Sequence, residues 1–242
     1  PAEVYEHLDW LSAEAEKADI PVYRVSKGDL RKHTLDGFVH GRAAANERYA
    51  SLPLHVRNED GSKGMIRRQC TREYKIEPIE RFIRRELLKL QPRERAPAGA
   101  VDQWFGISSD EMRRVRMSPR HWKQNVYPLV GLPEPMLERP FTRLMCQDWL
   151  RQHYPKRKVP RSACIGCPYH TDEEWRRIKS NPPEWDDAVE VDRAIRNADG
   201  MNGQVYLHAS CVPLEEVDLR TEEDKGQMNF GFGAECLGYC GN

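Results

Sequence analysis

The sequence has no long apolar run, no net charge and no internal repeat. A membrane-spanning helix needs about 20 consecutive apolar residues, and no stretch of the chain approaches that length. The 38 basic residues balance 38 acidic ones, so no overall field draws the protein to nucleic acid or to a membrane. No charged start leads into an apolar stretch with a small-residue cleavage site, as a secretion signal does. We therefore expect a soluble, cytoplasmic protein without a membrane partner.

Cysteine is scarce and unevenly spaced. Seven cysteines among 242 residues fit a reducing compartment with metal-binding or reactive thiols better than a disulfide framework. The most informative pair is Cys164 and Cys167, a Cys-x-x-Cys segment in which the small Gly166 lets a turn close around two sulfurs. Such a pair grips one metal ion or one face of an iron–sulfur cluster and needs further ligands.

Two isolated cysteines upstream are candidate partners of this pair. Either alone is more typical of a small core residue, but four thiolates suit both a tetrahedral zinc site and a [4Fe–4S] cluster. The predicted metal ligands are Cys70, Cys146, Cys164 and Cys167. An alternative zinc site replaces Cys70 with His170. The sequence alone does not distinguish a site for an iron–sulfur cluster from a site for zinc.

Hydrophobic periodicity predicts alternating helices and strands. An amphipathic helix at the start is followed by a short strand at 21–25 and a second helix after Gly28, an order typical of an α/β unit with a parallel sheet. A hairpin or loop is expected around Asn58 to Ser62, and further strands near 101–107 and 126–130.

Later segments are richer in helix signals. A helix following Cys70 has Pro78 in its first turn, where the missing N–H costs little, and a helix at 141–153 carries Cys146. Thr171 begins a capping box. We expect a nucleotide-binding α/β domain over residues 1–135, and a Cys-rich, mostly helical metal-binding region with a mobile tail over residues 136–242.

Three segments together carry a resemblance to a known family. Residues 70–79, which read CTREYKIEPI, resemble the segment of phosphoadenylyl-sulfate (PAPS) and adenylyl-sulfate (APS) reductases where cysteine precedes a lysine and a Pro-aliphatic helix start. Residues 104–114 are similar in placement to that family's Gly-x-Arg motif, and Cys164 to Cys167 falls where a second cluster pair stands. Over about residues 1–170 the chain resembles the phage and prophage branch of the PAPS-reductase-like family, in the adenine nucleotide alpha-hydrolase (PP-loop) superfamily.

The resemblance implies a fold, a cofactor and site residues. It implies a parallel sheet with flanking helices, a [4Fe–4S] cluster and an adenine nucleotide, which is PAPS, APS or ATP. The anion-binding residues it implies are Arg68, Lys75, Arg114 and Arg116. In the C-terminal tail, Cys236 and Cys240 loosely resemble the reductases' nucleophilic segment, with a thioredoxin-like reductant as partner; a further metal pair is the other interpretation.

Two departures from the family pattern matter. The family's phosphate loop, a Ser-Gly-Gly-x-Asp-Ser type of turn, is absent from the sequence, and its backbone N–H groups are what bind phosphate. We therefore expect an additional strand–loop–helix–strand piece before residue 1 in the natural protein. Cys70 also stands alone where cluster-bearing reductases have two adjacent cysteines, so Cys146 is needed as the fourth ligand.

Three functions follow as hypotheses. The leading one is a PAPS/APS reductase-like enzyme that uses thiol chemistry and an iron–sulfur cluster on an adenine sulfonucleotide. The second is an ATP-dependent sulfurtransferase that thiolates or otherwise modifies nucleic acid, for which basic stretches near the site are suited. The third is a non-enzymatic, zinc-stapled module that binds nucleic acid or protein.

Overall fold

The computed structural model describes residues 2–39, 52–160, 163–197 and 203–221. These residues form two compact units. Unit 1 takes the described residues up to Glu80 and those from Pro160 onward, and unit 2 takes Arg81–Val159. The division differs from the domain boundary predicted after residue 135, because strands before residue 80 pair with a strand that follows residue 200.

Two helices open unit 1. They are α1, Ala2–Lys17, and α2, Leu30–Val39. The first was predicted from periodicity, and a turn or helix was predicted to open at Gly28. The strand predicted at 21–25 is wrong: in the part of the chain that the structure describes, this segment belongs to neither sheet. Val22 and Tyr23 are exposed there, so the apolar residues that suggested a buried strand have no sheet to join.

Unit 1 contains a small antiparallel sheet. Its strands are β1, His55–Arg57, and β2, Lys63–Met65, and the hairpin between them, predicted around Asn58 to Ser62, is confirmed. A third strand, β5, Gln204–Tyr206, pairs with the other edge of β1. Gly203 enters this strand with φ of +130°, and a Cβ there would stand 2.4 Å from the Arg57 carbonyl oxygen. Only glycine fits so close to the neighbouring strand.

The predicted helix after Cys70 forms with two widened turns. It comprises π-helical Arg72–Ile76, α3 at Glu77–Phe82, and π-helical Ile83–Leu87. The first wide turn precedes Pro78, whose ring in a regular α-helix clashes with the carbonyl four residues earlier. Widening this turn relieves that clash.

Three further α-helices follow, and threonine side chains cap the first two. They are α4, Arg143–His153, α5, Asp172–Lys179, and α6, Pro182–Ala194. The Thr171 hydroxyl accepts a hydrogen bond from the Glu174 N–H at 3.3 Å, which confirms the helix start predicted there.

The core of unit 1 lies between α5, α6 and the sheet. Trp175 and Ile178 from α5 are fully buried with Ile195 at the end of α6, and Leu54 and Leu207 complete the cluster from the two segments flanking the sheet. Full burial of a side chain of this size stabilises the fold by about 1.5–3 kcal/mol. The two sequence-distant segments of unit 1 are therefore held by one shared core.

A buried carboxylate joins α6 to the segments that follow it. Asp192 is 1% exposed; its Oδ1 accepts from the Leu207 N–H at 2.8 Å and its Oδ2 from the Leu214 N–H at 2.9 Å. Oδ2 also forms an ion pair with Arg196. The Arg196 guanidinium lies 3.8 Å from the centroid of the Tyr206 ring in β5. One carboxylate thus satisfies two backbone donors and one cation inside unit 1.

Unit 2 is built around a parallel strand pair. It joins β3, Val101–Trp104, and β4, Lys123–Val126, with a small core of Ile83, Ala96 and Trp122. A strand was predicted at the position of β3. The second predicted strand was expected to begin at Val126, but β4 ends at that residue. Helices with small sheets that include one parallel pair make the chain an α/β protein. Within the described residues, no helix is long and apolar enough to cross a membrane.

Candidate metal centre

The Cys-x-x-Cys segment forms a tight turn in front of α5. The Cys167 N–H donates to the Cys164 carbonyl oxygen at 3.2 Å, and the His170 N–H donates to the Cys167 carbonyl oxygen at 3.1 Å. Such a turn holds its first and last Cα within about 7 Å of each other. Cys164 is exposed and Cys167 is half-buried, so a metal ion can reach this turn from solvent.

Gly166 has a different role from the one expected. Its backbone does not adopt the left-handed conformation, and a Cβ built on it would stand 3.7 Å from Leu207 Cδ1, an ordinary contact. The turn therefore does not depend on the conformational freedom of glycine. The close approach instead shows that the turn lies against the core of unit 1.

The buried side chain of His170 stabilises the turn through hydrogen bonds. The ring nitrogen Nε2 lies 2.8 Å from the Cys164 carbonyl oxygen and 3.0 Å from that of Ile165, and Nδ1 lies 2.7 Å from Glu174 Oε2. The His170 side chain is buried, with the edge of Trp175 packed against it at 5.0 Å between centroids. Because both nitrogens face acceptors on the protein, His170 in this arrangement has no lone pair directed to a metal.

Cys70 reaches the same part of unit 1. Two residues before it, the Arg68 guanidinium lies 5.5 Å from the centroid of the Tyr169 ring. Cys70 itself is a half-buried free thiol and packs on the same core cluster as Ile165, between the two cysteines of the turn. The segment that carries Cys70 and the turn that carries Cys164 and Cys167 therefore lie side by side.

The fourth predicted ligand belongs to the other unit. Cys146 is a half-buried free thiol on α4 in unit 2. Burial, together with the nearby negative charge of Asp110, raises the pKa of its thiol, so a metal must displace a tightly held proton to bind it. Across residues 2–39, 52–160, 163–197 and 203–221, no three His, Cys, Asp or Glu side chains already stand together as a ligand set.

The predicted anion-binding residues divide between the units. In unit 1, Lys75 is exposed and Arg68 is partly covered by its aromatic neighbour. In unit 2, Arg114 is paired with Glu111 at 2.7 Å, and Arg116 donates to two backbone carbonyls of its own segment. Arg114 and Arg116 are thus already engaged, which leaves Lys75 as the most accessible cation of the set. Cys236 and Cys240 lie outside the described residues.

Two histidines near the turn were not singled out from the sequence. His55 Nε2 donates to the Pro168 carbonyl oxygen at 3.1 Å, which ties β1 to the Cys-x-x-Cys turn. The Ser210 N–H donates to His208 Nδ1 at 3.1 Å, so His208 Nε2 carries the proton and donates to Asp172 Oδ1 at 3.1 Å. Neither contact has a local sequence signal, because each joins segments far apart in the chain.

The environment of His55 predicts a specific pH dependence. Burial lowers the pKa of His55 from its usual value of 6.5. As the pH falls below 6.5, the unfolded chain takes up a proton at this residue while the folded protein does not, so the free energy of unfolding falls. We expect His55→Gln to lose less stability than the wild type between pH 7.5 and pH 5.5, by urea denaturation. His153→Gln, at an exposed position, is the control; an unchanged pH slope in His55→Gln would contradict the prediction.

Comparison with known proteins identifies no relative: no family model, curated protein or solved structure matches the chain. The functional argument therefore rests on the residues and their geometry.

Proposed function

We propose that the chain is a PAPS/APS reductase-like enzyme that binds an iron–sulfur cluster and acts on an adenine sulfonucleotide. The observation that carries the proposal is the convergence, in unit 1, of the segment bearing Cys70 and the turn bearing Cys164 and Cys167. The parallel pair β3 and β4 supports the finer assignment to an adenine nucleotide alpha-hydrolase-like fold, and the free thiols support a reducing, cytoplasmic location.

The donors are of the type found in a metal–thiolate centre, although no three of them already stand together among the described residues. In unit 1, Cys70, Cys164 and Cys167 would hold the group. Soft thiolates select iron–sulfur clusters or zinc over hard cations such as magnesium. A bound cluster would supply a redox-active, electron-accepting centre. The hydrogen bonds of His170 hold the turn in one conformation. Preformed ligand geometry of this kind strengthens metal binding.

The thiol chemistry is assigned to the C-terminal tail. A thiolate of Cys236 or Cys240 attacks the sulfonate sulfur, an S–S bond forms, and the S–O bond to the adenine nucleotide breaks, so the nucleotide leaves. The other thiol then attacks the first cysteine's sulfur, which releases sulfite and leaves a disulfide. A thioredoxin-like dithiol reduces this disulfide. The exposed ammonium of Lys75 is a candidate to neutralise an anionic substrate.

Metal analysis and sulfite release test the proposal together. Protein purified without oxygen is expected to be brown, to contain about four irons per chain, and to release sulfite from PAPS or APS with a thioredoxin-like reductant. Replacing Cys236 and Cys240 by Ser should abolish sulfite release and leave the iron content unchanged, whereas Cys211→Ala, at a buried thiol, should preserve both. Sulfite release by the double variant would exclude the tail as nucleophile.

A zinc-stapled binding module is the second candidate, and the size of the sheets favours it. In the part of the chain that the structure describes, one sheet has three antiparallel strands and the other has two parallel strands. Nucleotides usually bind at the carboxyl edge of a wider parallel sheet. A colourless protein with one zinc per chain and no release of sulfite would support this function and exclude the reductase.

A further inference from the structure

The end of α4 and the turn after it carry aromatic and cationic side chains that the metal centre does not use. Trp149 is 47% exposed, and its ring stacks on the ring of His153 with centroids 4.1 Å apart and planes at 19°. Tyr154 lies tilted against Trp149 at 6.2 Å. With Lys156 and Lys158, both exposed, these residues form what we call the α4 surface.

Local hydrogen bonds hold the α4 surface together. The His153 ring nitrogen Nδ1 lies 2.8 Å from the Trp149 carbonyl oxygen, which fixes the imidazole beside the indole. The Arg157 N–H donates to the Tyr154 carbonyl oxygen at 2.9 Å, so the chain turns immediately after the helix. This turn keeps Lys156 and Lys158 close to the aromatic pair.

The stretch of chain that carries the α4 surface is strongly positive although the whole chain is neutral. Between residues 139 and 159 there is one acidic residue, Asp148, and it is paired with Arg151 at 2.5 Å. The basic residues of the same stretch are Arg139, Arg143, Arg151, Lys156, Arg157 and Lys158. Cations near a helix C-terminus also stabilise the helix dipole, but that role does not require an exposed tryptophan.

We propose that the α4 surface binds single-stranded nucleic acid. A flat, exposed aromatic pair offers a platform on which an unpaired base stacks, and the adjacent lysines neutralise the phosphates that flank that base. Stacking on aromatic side chains is tolerant of sequence, because every base has a π-face. Binding is therefore electrostatic and weakly selective among sequences.

A membrane surface fits α4 less well. A helix that lies on a lipid surface presents its apolar residues along one face. The two exposed apolar side chains of α4, Leu144 and Trp149, are five positions apart and so point about 140° away from each other around the helix. In α4, no residue is buried on any side, so the exposed indole is not an extension of a core.

Fluorescence anisotropy with a labelled oligo(dT) strand, repeated with oligo(U), tests the proposal on the full chain. We expect salt-dependent binding by the wild type and about a tenfold loss of affinity in Trp149→Ala, from the lost stacking. The double variant Lys156→Ala and Lys158→Ala should lower the slope of log affinity against log salt by about 1.4, which corresponds to two phosphate contacts on a single strand.

Matched substitutions elsewhere in unit 2 separate this surface from general charge and aromatic effects. Trp104→Ala removes another exposed tryptophan, which is 61% exposed, and Arg81→Ala with Arg95→Ala removes two exposed cations; both are expected to bind like the wild type. The proposal is overturned if the wild type does not bind, or if Trp149→Ala binds as tightly as Trp104→Ala. Binding to phosphatidylserine vesicles without binding to either oligonucleotide would assign the surface to membranes instead.

Discussion

Replacing Asp192 by Asn is expected to lower the free energy of unfolding by about 3–5 kcal/mol, the usual cost of breaking a buried ion pair. The carboxylate accepts from the Leu207 and Leu214 N–H groups and pairs with Arg196. An amide at this position has one acceptor oxygen, and its NH2 group must face a donor. Since domains are stable by only about 5–15 kcal/mol, urea denaturation should show a large shift in midpoint.

An exposed aspartate provides the matched control for this substitution. Asp218 forms an ion pair with Arg220 at 2.8 Å, with both side chains largely in solvent. Asp218→Asn should therefore cost less than about 1 kcal/mol. Equal losses in Asp192→Asn and Asp218→Asn would mean that the buried carboxylate does not join the two segments as described.

Replacing both Cys164 and Cys167 by Ser is expected to remove all bound metal. Serine hydroxyls do not replace thiolates as ligands for zinc or for iron–sulfur clusters, and the turn supplies two adjacent sulfurs. Metal content per chain, measured after purification without oxygen, checks this result. A thermal denaturation scan should also show a lower midpoint than for the loaded wild type, because a metal bound only to the folded state stabilises it.

Substitutions of the other cysteines test which thiols bind the metal. Cys211→Ala should retain the metal, because Cys211 is buried in the core and is not one of the predicted ligands. Cys70→Ser should lower the metal content. Full metal content in the double Ser variant of Cys164 and Cys167 is the result that would contradict the proposed centre.

Local signals in the sequence predicted the elements that depend on local interactions. The Thr171 cap and the hairpin around Asn58 to Ser62 formed where their residues indicated. The helix predicted to have Pro78 in its first turn instead begins before Pro78, with the wide turn Arg72–Ile76. The segment at 21–25 did not form a strand, because strand formation requires a partner that local pattern cannot supply. For the same reason the local sequence did not predict β5, because its pairing with β1 depends on residues far away in the chain.

The candidate site was predictable in its residues and not in its contacts. The spacing of Cys164 and Cys167 indicated a paired-thiol turn, and a turn is present. His170 stabilises the turn only because its ring points toward the turn. The orientation of the ring is set by its contacts with Trp175 and with the carbonyl groups of the turn. The i, i+4 spacing of His170 and Glu174 was visible in the sequence, but it did not distinguish a metal ligand from a residue that holds backbone in place.

The discontinuity of unit 1 sets an order of events during synthesis. His55 in β1 is opposite Tyr206 in β5, about 150 residues later, and such distant pairings form slowly. The ribosome completes Arg81–Val159, the described part of unit 2, before either the Cys-x-x-Cys turn or β5 exists. A nascent chain therefore exposes the edge of β1 until β5 has been made, and an unpaired strand edge is a site of aggregation.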